Sequence, residues 1–220
     1  FCLSRGLGDV YKRQLHLKSD LKGEHFIPVC ASTADEVTEK ADVIFVCVKG
    51  YSIDSVKEVI KRASTPTTLV IPILNVYGTG PRIGRLVPGI DVLDGCIYIV
   101  GYVSGKGEIT QSGRVFRLVC GARPEQGIVQ KRIEHVAEDL RQCGIKVDIS
   151  DDINRDTFIK WSFISAMACT GAYYDVPMGA VQHEGEPRNT FKGLSAESEK
   201  IGKCLGITFP EDMVTSVSYT

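Results

Sequence analysis

The 220-residue chain has almost no net charge and no long apolar run. Its 26 basic residues nearly balance its 27 acidic ones, which leaves a formal charge of −1. A nucleic-acid-binding domain carries a basic excess, so this balance argues against nucleic acid as a main partner. A membrane-spanning helix needs about 18 or more consecutive apolar residues, and no run in the sequence is that long. We therefore expect neither nucleic acid nor a membrane as a partner.

Closely spaced cysteines are also lacking. No two of the eight cysteines are two or three residues apart, which excludes the spacing of zinc sites and of redox C-x-x-C motifs. Cys47, Cys96 and Cys120 lie inside apolar runs, where a free cysteine behaves as a small hydrophobic residue. These features favour a reducing compartment, the cytoplasm, and no disulfide bonds. The four histidines have no metal-ligand spacing, and we predict no metal site.

Residues 1–14 are set apart from the rest of the chain. Within them, residues 4–14 (SRGLGDVYKRQ) resemble a translated sequencing-library adapter, so we exclude this segment from the fold. Gly6 and Gly8 follow no apolar strand and lack the third glycine of a dinucleotide-binding loop. We interpret the remaining sequence, from Leu15 onward, as an internal fragment of a longer protein.

Two apolar runs rich in β-branched residues predict buried parallel strands. They are residues 41–48 (ADVIFVCV) and 68–74 (TLVIPIL), and Pro72 within the second indicates an edge or a bulge. Between them, Ser52 is expected to cap a helix that runs to about Arg62 and has one apolar face. Strand, helix and strand then form a right-handed βαβ unit.

The remainder of the chain predicts a change from mixed structure to helices. Strands are expected near residues 96–103, 108–111, 115–119 and 145–149, and a helix over residues 124–142 ends before Gly144. Asp151 or Asp152 then caps a long helix, and another follows near residues 186–205. The predicted fold class is α/β, with a sheet domain over residues 15–150 and an all-helical domain over residues 151–220.

Lys49 and Asn75 follow the two predicted buried strands. Ligands of open α/β sheets bind at the carboxyl ends of the strands, so both side chains are candidates for a binding site. A lysine there binds an anionic group, and an asparagine forms hydrogen bonds with a ligand. The alternative is a solvated loop lysine and a turn asparagine, and the residues alone leave both interpretations open.

Lys160 lies in an otherwise apolar helical segment, residues 158–164 (FIKWSFI). Such surroundings disfavour the charged form of lysine, which equips it for proton transfer. Phe163 and Ile164 are expected to keep water away from it. The alternative is an exposed ion pair with Asp156, one turn earlier in the helix.

In their order and spacing, these residues resemble the ketopantoate reductase family (2-dehydropantoate 2-reductases). The resemblance covers residues 15–220 and depends on three motifs: the run ending in Lys49, then Asn75 with Gly78, then residues 152–155 (DINR) leading to Lys160 and Trp161. It implies a Rossmann-type domain that binds NADPH and a helical domain that closes over a small-molecule 2-oxo acid. It leaves a homodimer open.

The reaction that the resemblance implies is reduction of ketopantoate to pantoate, for pantothenate and coenzyme A synthesis. Lys49 would contact the cofactor, and Asn75 would lie near both the nicotinamide and the substrate. Lys160 would be the catalytic general acid that protonates the forming alkoxide, which agrees with the interpretation of its apolar surroundings.

The sequence also departs from the family. The first strand, its glycine-rich loop and the residues that distinguish NADPH from NADH are not found in residues 15–220. One and two turns after Lys160, where the family usually has asparagines, this chain has Ile164 and Ala168, so a less polar 2-oxo acid is an alternative substrate. Two further alternatives are a 3-hydroxy acid or 6-phosphogluconate-like dehydrogenase and a non-catalytic nucleotide-binding sensor.

Overall fold

The computed structural model describes residues 14–128 and 130–209. The predicted adapter segment therefore lies outside the described residues, apart from Gln14, which begins the first strand. Within the described residues the strands are β1 (Gln14–Ser19), β2 (Gly23–Pro28), β3 (Val43–Val46), β4 (Leu69–Pro72), β5 (Asp91–Val92), β6 (Asp94–Gly105), β7 (Glu108–Gly121) and β8 (Lys146–Ile149). The α-helices are α1 (Lys57–Ala63), α2 (Thr79–Leu86), α3 (Gln130–Gln142), α4 (Ile153–Tyr174) and α5 (Glu186–Cys204).

A three-stranded parallel sheet confirms the predicted βαβ unit. Its order is β3–β4–β5, and β3 pairs with β4 in an unbroken register from Val43 opposite Leu69 to Val46 opposite Pro72. All four residues of β4 are buried, as expected of a strand covered on both faces. The prediction that Pro72 marks an edge or a bulge was wrong. It is the last residue of the middle strand, where its missing N–H interrupts no further pairing.

The connection after β3 begins differently from the prediction. A 3-10 helix, Gly50–Val56, precedes α1, and its first flanking residue is Lys49. Ser52 is therefore not a cap: its backbone N–H donates to the carbonyl of Lys49 at 2.8 Å, and its own carbonyl accepts from Ser55 Oγ at 2.7 Å. The apolar face is as predicted, and its buried members are Ile53, Val56 and Ile60.

A second sheet, mixed and five-stranded, accompanies the three-stranded one, where the sequence predicted a single Rossmann-type sheet. Its order is β2–β1–β7–β6, with β8 also paired to β7. The strands predicted over residues 108–111 and 115–119 are one strand, β7, interrupted where the register shifts between Ile99 and Val100 of its partner β6. Gly113 lies at this irregularity with φ of +76°, a conformation that side chains disfavour.

The two sheets share one apolar core. The buried cluster at this junction draws on β4, β7, β8, α3 and the link between β5 and β6, and it contains Leu69, Ile71, Leu93, Leu118, Cys120, Ile133, Ala137 and Val147. Gly95 marks the close approach of β6 to β4, because a Cβ there would lie 3.1 Å from both Ile71 Cγ2 and the carbonyl oxygen of Pro72. The β3–β4–β5 sheet is thereby fixed against the larger sheet.

The predicted helix end before β8 and helix start after it are confirmed, but the helix predicted from residue 124 begins at Gln130, after a separate 3-10 helix at Pro124–Gln126. Gly144 ends α3 with φ of +76°, and its N–H donates to Arg141 while the N–H of Ile145 donates to Leu140, a Schellman motif. Asp152 is the cap of α4, and its side chain accepts from the N–H of Arg155 at 3.1 Å.

The elements described after Ile149 are helical. Helix α5 packs on α4, where the rings of Phe163 and Phe191 meet edge to face at 5.9 Å. The domain boundary near residue 150 stays a prediction, since α4 also contacts β6 and β7. No α-helix within residues 14–128 and 130–209 combines the length and apolar character of a membrane span.

Candidate active site

The structure brings together the loops that carry Lys49 and Asn75. Strands β3 and β4 are adjacent and parallel, so both loops leave the same edge of the sheet. The residues that follow the two candidates touch: a Cβ on Gly50 would lie 3.2 Å from Cγ2 of Val76. Lys49 and Asn75 are themselves exposed. The edge therefore presents a cation and an amide to solvent, and their role in binding stays a prediction.

The Asn75 loop is anchored where it enters α2. Gly78 adopts φ of +75° at the start of this helix. The backbone N–H of Gly80 then donates to Oδ1 of Asp94 at 2.9 Å. A Cβ on Gly80 would lie only 2.5 Å from the carboxylate carbon of Asp94, so the approach requires glycine. A carboxylate is a favourable partner at this position because the N–H groups of a helix start point toward it.

Asp94 belongs to a buried ion pair that the sequence analysis did not detect. Its carboxylate binds Arg123, and the two side chains are 5% and 10% exposed. Burial raises the pKa of Asp94, and the guanidinium of Arg123 opposes that shift. The partners are 29 positions apart in sequence. No local spacing signals such a pair, although an acidic residue opening the apolar start of β6 was a partial clue.

An aromatic contact joins the Asn75 loop to α4. The ring of Tyr77 meets Phe158 edge to face at 5.2 Å and lies 6.4 Å from the ring of Trp161. Phe158 and Trp161 flank Lys160 in sequence, so the loop packs against the helical turn that carries this lysine. Burial raises the pKa of Tyr77, with further contributions from the nearby carboxylates of Asp94 and Asp152.

Lys160 is buried, with 5% of its surface exposed. Its ammonium group donates a hydrogen bond to the carbonyl of Ile97 on β6 and lies 4.9 Å from the centre of the Tyr98 ring. Burial lowers the pKa of Lys160, and the neighbouring Cys96 has a weaker, opposite effect. The predicted apolar environment is confirmed, and with it the premise for a lysine that gives up its proton readily.

The alternative interpretation of Lys160, an exposed ion pair with Asp156, is contradicted by the structure. The carboxylate of Asp156 instead accepts from Ser150 Oγ at 2.6 Å and from Arg155 at 3.2 Å. Phe163 packs edge to face on Phe191 of α5. The groups that surround the ammonium come from β6, which is 63 positions away in sequence and so gave no local signal.

At the strand-end edge, the loop of Asn75 thus packs against α4 beside a buried lysine. A sequence model of the ketopantoate reductase PanE/ApbA family matches residues 1–125. An uncharacterized oxidoreductase of Bacillus subtilis, YkpB, is 27% identical over 186 residues. That match covers 84% of this chain and 60% of the relative, so the chain spans less than two thirds of the relative's length.

Solved structures agree with this fold. A 2-dehydropantoate 2-reductase from Porphyromonas gingivalis W83 is 25% identical with a TM-score of 0.80, over 97% of this chain and 74% of that one. One from Geobacter metallireducens GS-15 has a TM-score of 0.84 at 20% identity, over 99% and 73%. A D-mandelate dehydrogenase, solved with NADH and anilino(oxo)acetate, has a TM-score of 0.82 at 17% identity, over 93% and 66%.

Fold and matches together define the class of the chain, a mixed α/β architecture followed by a helical C-terminal region. Within that class, the chain belongs to the ketopantoate reductase (PanE/ApbA) family.

Proposed function

We propose that the protein containing this chain reduces a 2-oxo acid with NADPH, converting ketopantoate to pantoate for pantothenate and coenzyme A synthesis. One observation carries the proposal. A buried lysine, Lys160, lies in the helical turn that packs against the loop of Asn75, at the carboxyl end of a parallel sheet. A reductase of this kind needs a proton donor and a binding edge close together.

The strand-end edge fits a nicotinamide dinucleotide. Lys49 and Asn75 are exposed on adjoining loops, and together they offer a cation for a phosphate or ribose and an amide for a carboxamide or carboxylate. When bound, the reduced nicotinamide supplies the hydride. Lys49 would contact the cofactor, and Asn75 would orient both the nicotinamide and the substrate.

Lys160 supplies the proton. Hydride addition to a ketone leaves negative charge on its oxygen, and a positioned ammonium group both stabilises that charge and neutralises it. A lowered pKa brings the donor closer to neutral pH, where proton transfer is most effective. An ammonium has three N–H groups, and the bond to Ile97 uses one of them.

The face of α4 beyond Lys160 favours a second candidate substrate. Ile164 and Ala168 lie one and two turns further along the helix, on the same face as Lys160. They offer no hydrogen bond to the hydroxyl group of ketopantoate. A 2-oxo acid with an apolar side chain would lose nothing at these positions, because a site without polar partners does not discriminate against its lack of a hydroxyl group.

A substrate panel tests the proposal. The protein with its complete cofactor-binding region is assayed for oxidation of NADPH and NADH with ketopantoate, 2-oxoisovalerate and phenylglyoxylate. We expect turnover of at least one 2-oxo acid, with ketopantoate favoured under the first candidate and the apolar acids under the second. Turnover of none of them, in the presence of measurable cofactor binding, would favour a non-catalytic sensor.

Substitutions at the strand-end edge separate the two binding roles. Lys49→Ala should raise KM for the cofactor with little change in kcat. Asn75→Ala should lower kcat/KM for the 2-oxo acid by about 10- to 100-fold, which corresponds to about 1.4–2.7 kcal/mol. Lys61→Ala, which removes an exposed lysine on α1, is the control and should alter neither. Changes below twofold in both test variants would place the site elsewhere.

A further inference from the structure

One tyrosine ring on β6 lies beside two cations. Lys160 Nζ is 4.9 Å from the centre of the Tyr98 ring, and the guanidinium carbon of Arg117 is 5.3 Å from the same point. The two cations differ in their other partners. Arg117 forms an ion pair with Asp148 on β8, whereas Lys160 donates to the carbonyl of Ile97. Lys160 therefore depends more on the Tyr98 ring than Arg117 does to offset the cost of burying its charge.

We propose that Tyr98 is a positioning residue for Lys160, whose ring face holds the ammonium group in its charged form against the carbonyl of Ile97. The catalytic consequence rests on the proposed function, because only a proton donor needs to be kept charged. The interaction itself does not depend on that function and is open to direct measurement.

The physical argument starts from the cost of burying a charge. A buried ammonium group loses hydration, and a single carbonyl hydrogen bond replaces only part of it. The negative face of an aromatic ring attracts a cation within about 6 Å, and the attraction grows as water is excluded. The nearby carboxylate on α4, Asp156, is bound to Ser150 and Arg155. The Tyr98 ring therefore supplies the attraction to the ammonium group that a carboxylate supplies in an ordinary ion pair.

The other titratable groups around Lys160 leave this role to the ring face. From β6, burial raises the pKa of both Cys96 and Tyr98, so the thiol and the phenol are neutral near pH 7. From β7, Arg117 is neutralised by Asp148 of β8. The stabilisation of the ammonium thus comes from the π-system, and the phenolic hydroxyl is not required for it.

A series of side chains at position 98 tests the proposal on this chain. Lysine labelled with carbon-13 at Cε reports the pKa of Lys160 by NMR, and Lys160→Met assigns its signal. Tyr98→Phe keeps the ring and should leave this pKa within about 0.3 units. Trifluorophenylalanine keeps the shape but removes the negative face, and Tyr98→Leu removes the ring; each should lower the pKa by about one unit.

Tyr102→Leu is the control, because Tyr102 is on the same strand and 57% exposed. It should leave the pKa of Lys160 unchanged. An equal pKa in the phenylalanine and trifluorophenylalanine variants would overturn the proposal. Because trifluorophenylalanine conserves shape, this comparison holds even if Tyr98→Leu does not fold.

The pH profile of the complete enzyme separates the inference from the proposed function. If Lys160 donates the proton, the basic limb of kcat/KM should move to lower pH in the trifluorophenylalanine variant by the shift that NMR reports, and Tyr98→Phe should restore it. A shifted NMR pKa without any reductase activity in the wild type would contradict the function and leave the positioning role intact. A shifted NMR pKa with an unshifted pH profile would overturn the catalytic part of the inference.

Discussion

At the scale of single residues, the site combines a charge that is costly to bury with groups that reduce this cost. Lys160 is 5% exposed, and its partners are a backbone carbonyl and an aromatic ring. The fold would be at least as stable with a hydrophobic residue at this position. The retention of a lysine there is more readily explained by proton transfer than by stability.

This view predicts a pH-dependent stability difference between the wild type and Lys160→Met. Burial lowers the pKa of Lys160 in the folded chain, whereas unfolded lysine keeps its ordinary value of about 10.4. Between those two values the unfolded state binds more protons, so wild-type stability rises with pH relative to the variant. The advantage of Lys160→Met should therefore be largest near neutral pH and shrink toward pH 10.

Urea unfolding at several pH values measures this difference. Lys200→Met, at an exposed position on α5, is the control and should show no comparable trend. A stability difference between wild type and Lys160→Met that does not vary with pH would mean that the lysine titrates as it does in water.

At the scale of elements, α2 determines where the Asn75 loop lies. The carboxylate of Asp94 caps the start of this helix, and the same carboxylate is held by Arg123. Because this pair is buried, its partners cannot separate without leaving an unpaired charge in the interior. The buried ion pair of Asp94 and Arg123 thus fixes the position of the loop.

Two glycines in α2 provide a matched test of whether Asp94 holds the start of this helix in place. Gly80→Ala places a methyl group against the Asp94 carboxylate and should destabilise the fold by about 1–3 kcal/mol. Gly84→Ala meets nothing within 4 Å and should stabilise it by about 0.5–1 kcal/mol, because alanine favours the helix. Thermal or urea unfolding measures both changes in the free energy of unfolding. Similar changes in the two variants would show that the Asp94 side chain moves to accommodate the added methyl group.

The elements also show what the sequence could reveal. Strands β3 and β4 were predictable because they are short, apolar and bounded by loop residues. The β1–β2 hairpin was not predictable, because every residue of β2 is exposed and no buried face gives it an alternating apolar pattern. Lys160 was identified from its apolar neighbours, but Ile97 and Tyr98 were not, because contacts between distant segments leave no periodic signal.

At the scale of the whole molecule, the two sheets and α4 share continuous packing. Leu69 and Ile71 of the smaller sheet lie in one cluster with Leu118 and Val147 of the larger. Ile153 at the start of α4 packs on Cys96 and Val119. This continuity favours one cooperative unit over two independent ones, even though the architecture changes near residue 150.

Coincident unfolding transitions are therefore expected. Trp161 is the single tryptophan of the chain and lies on α4, so its fluorescence reports the helical region. Far-UV circular dichroism reports all elements together. The two urea transitions should share a midpoint and a slope. Separate transitions would show that the helical region unfolds independently of the sheets.

The central claim, that Lys160 is the proton donor of a 2-oxo acid reductase, is tested most directly by kinetics of Lys160→Met in the complete enzyme. Loss of a general acid should lower kcat by about 10²–10⁴-fold with the preferred 2-oxo acid, while the affinity for NADPH changes little. Lys200→Met should keep wild-type turnover. A normal kcat for a folded Lys160→Met enzyme would contradict the catalytic assignment.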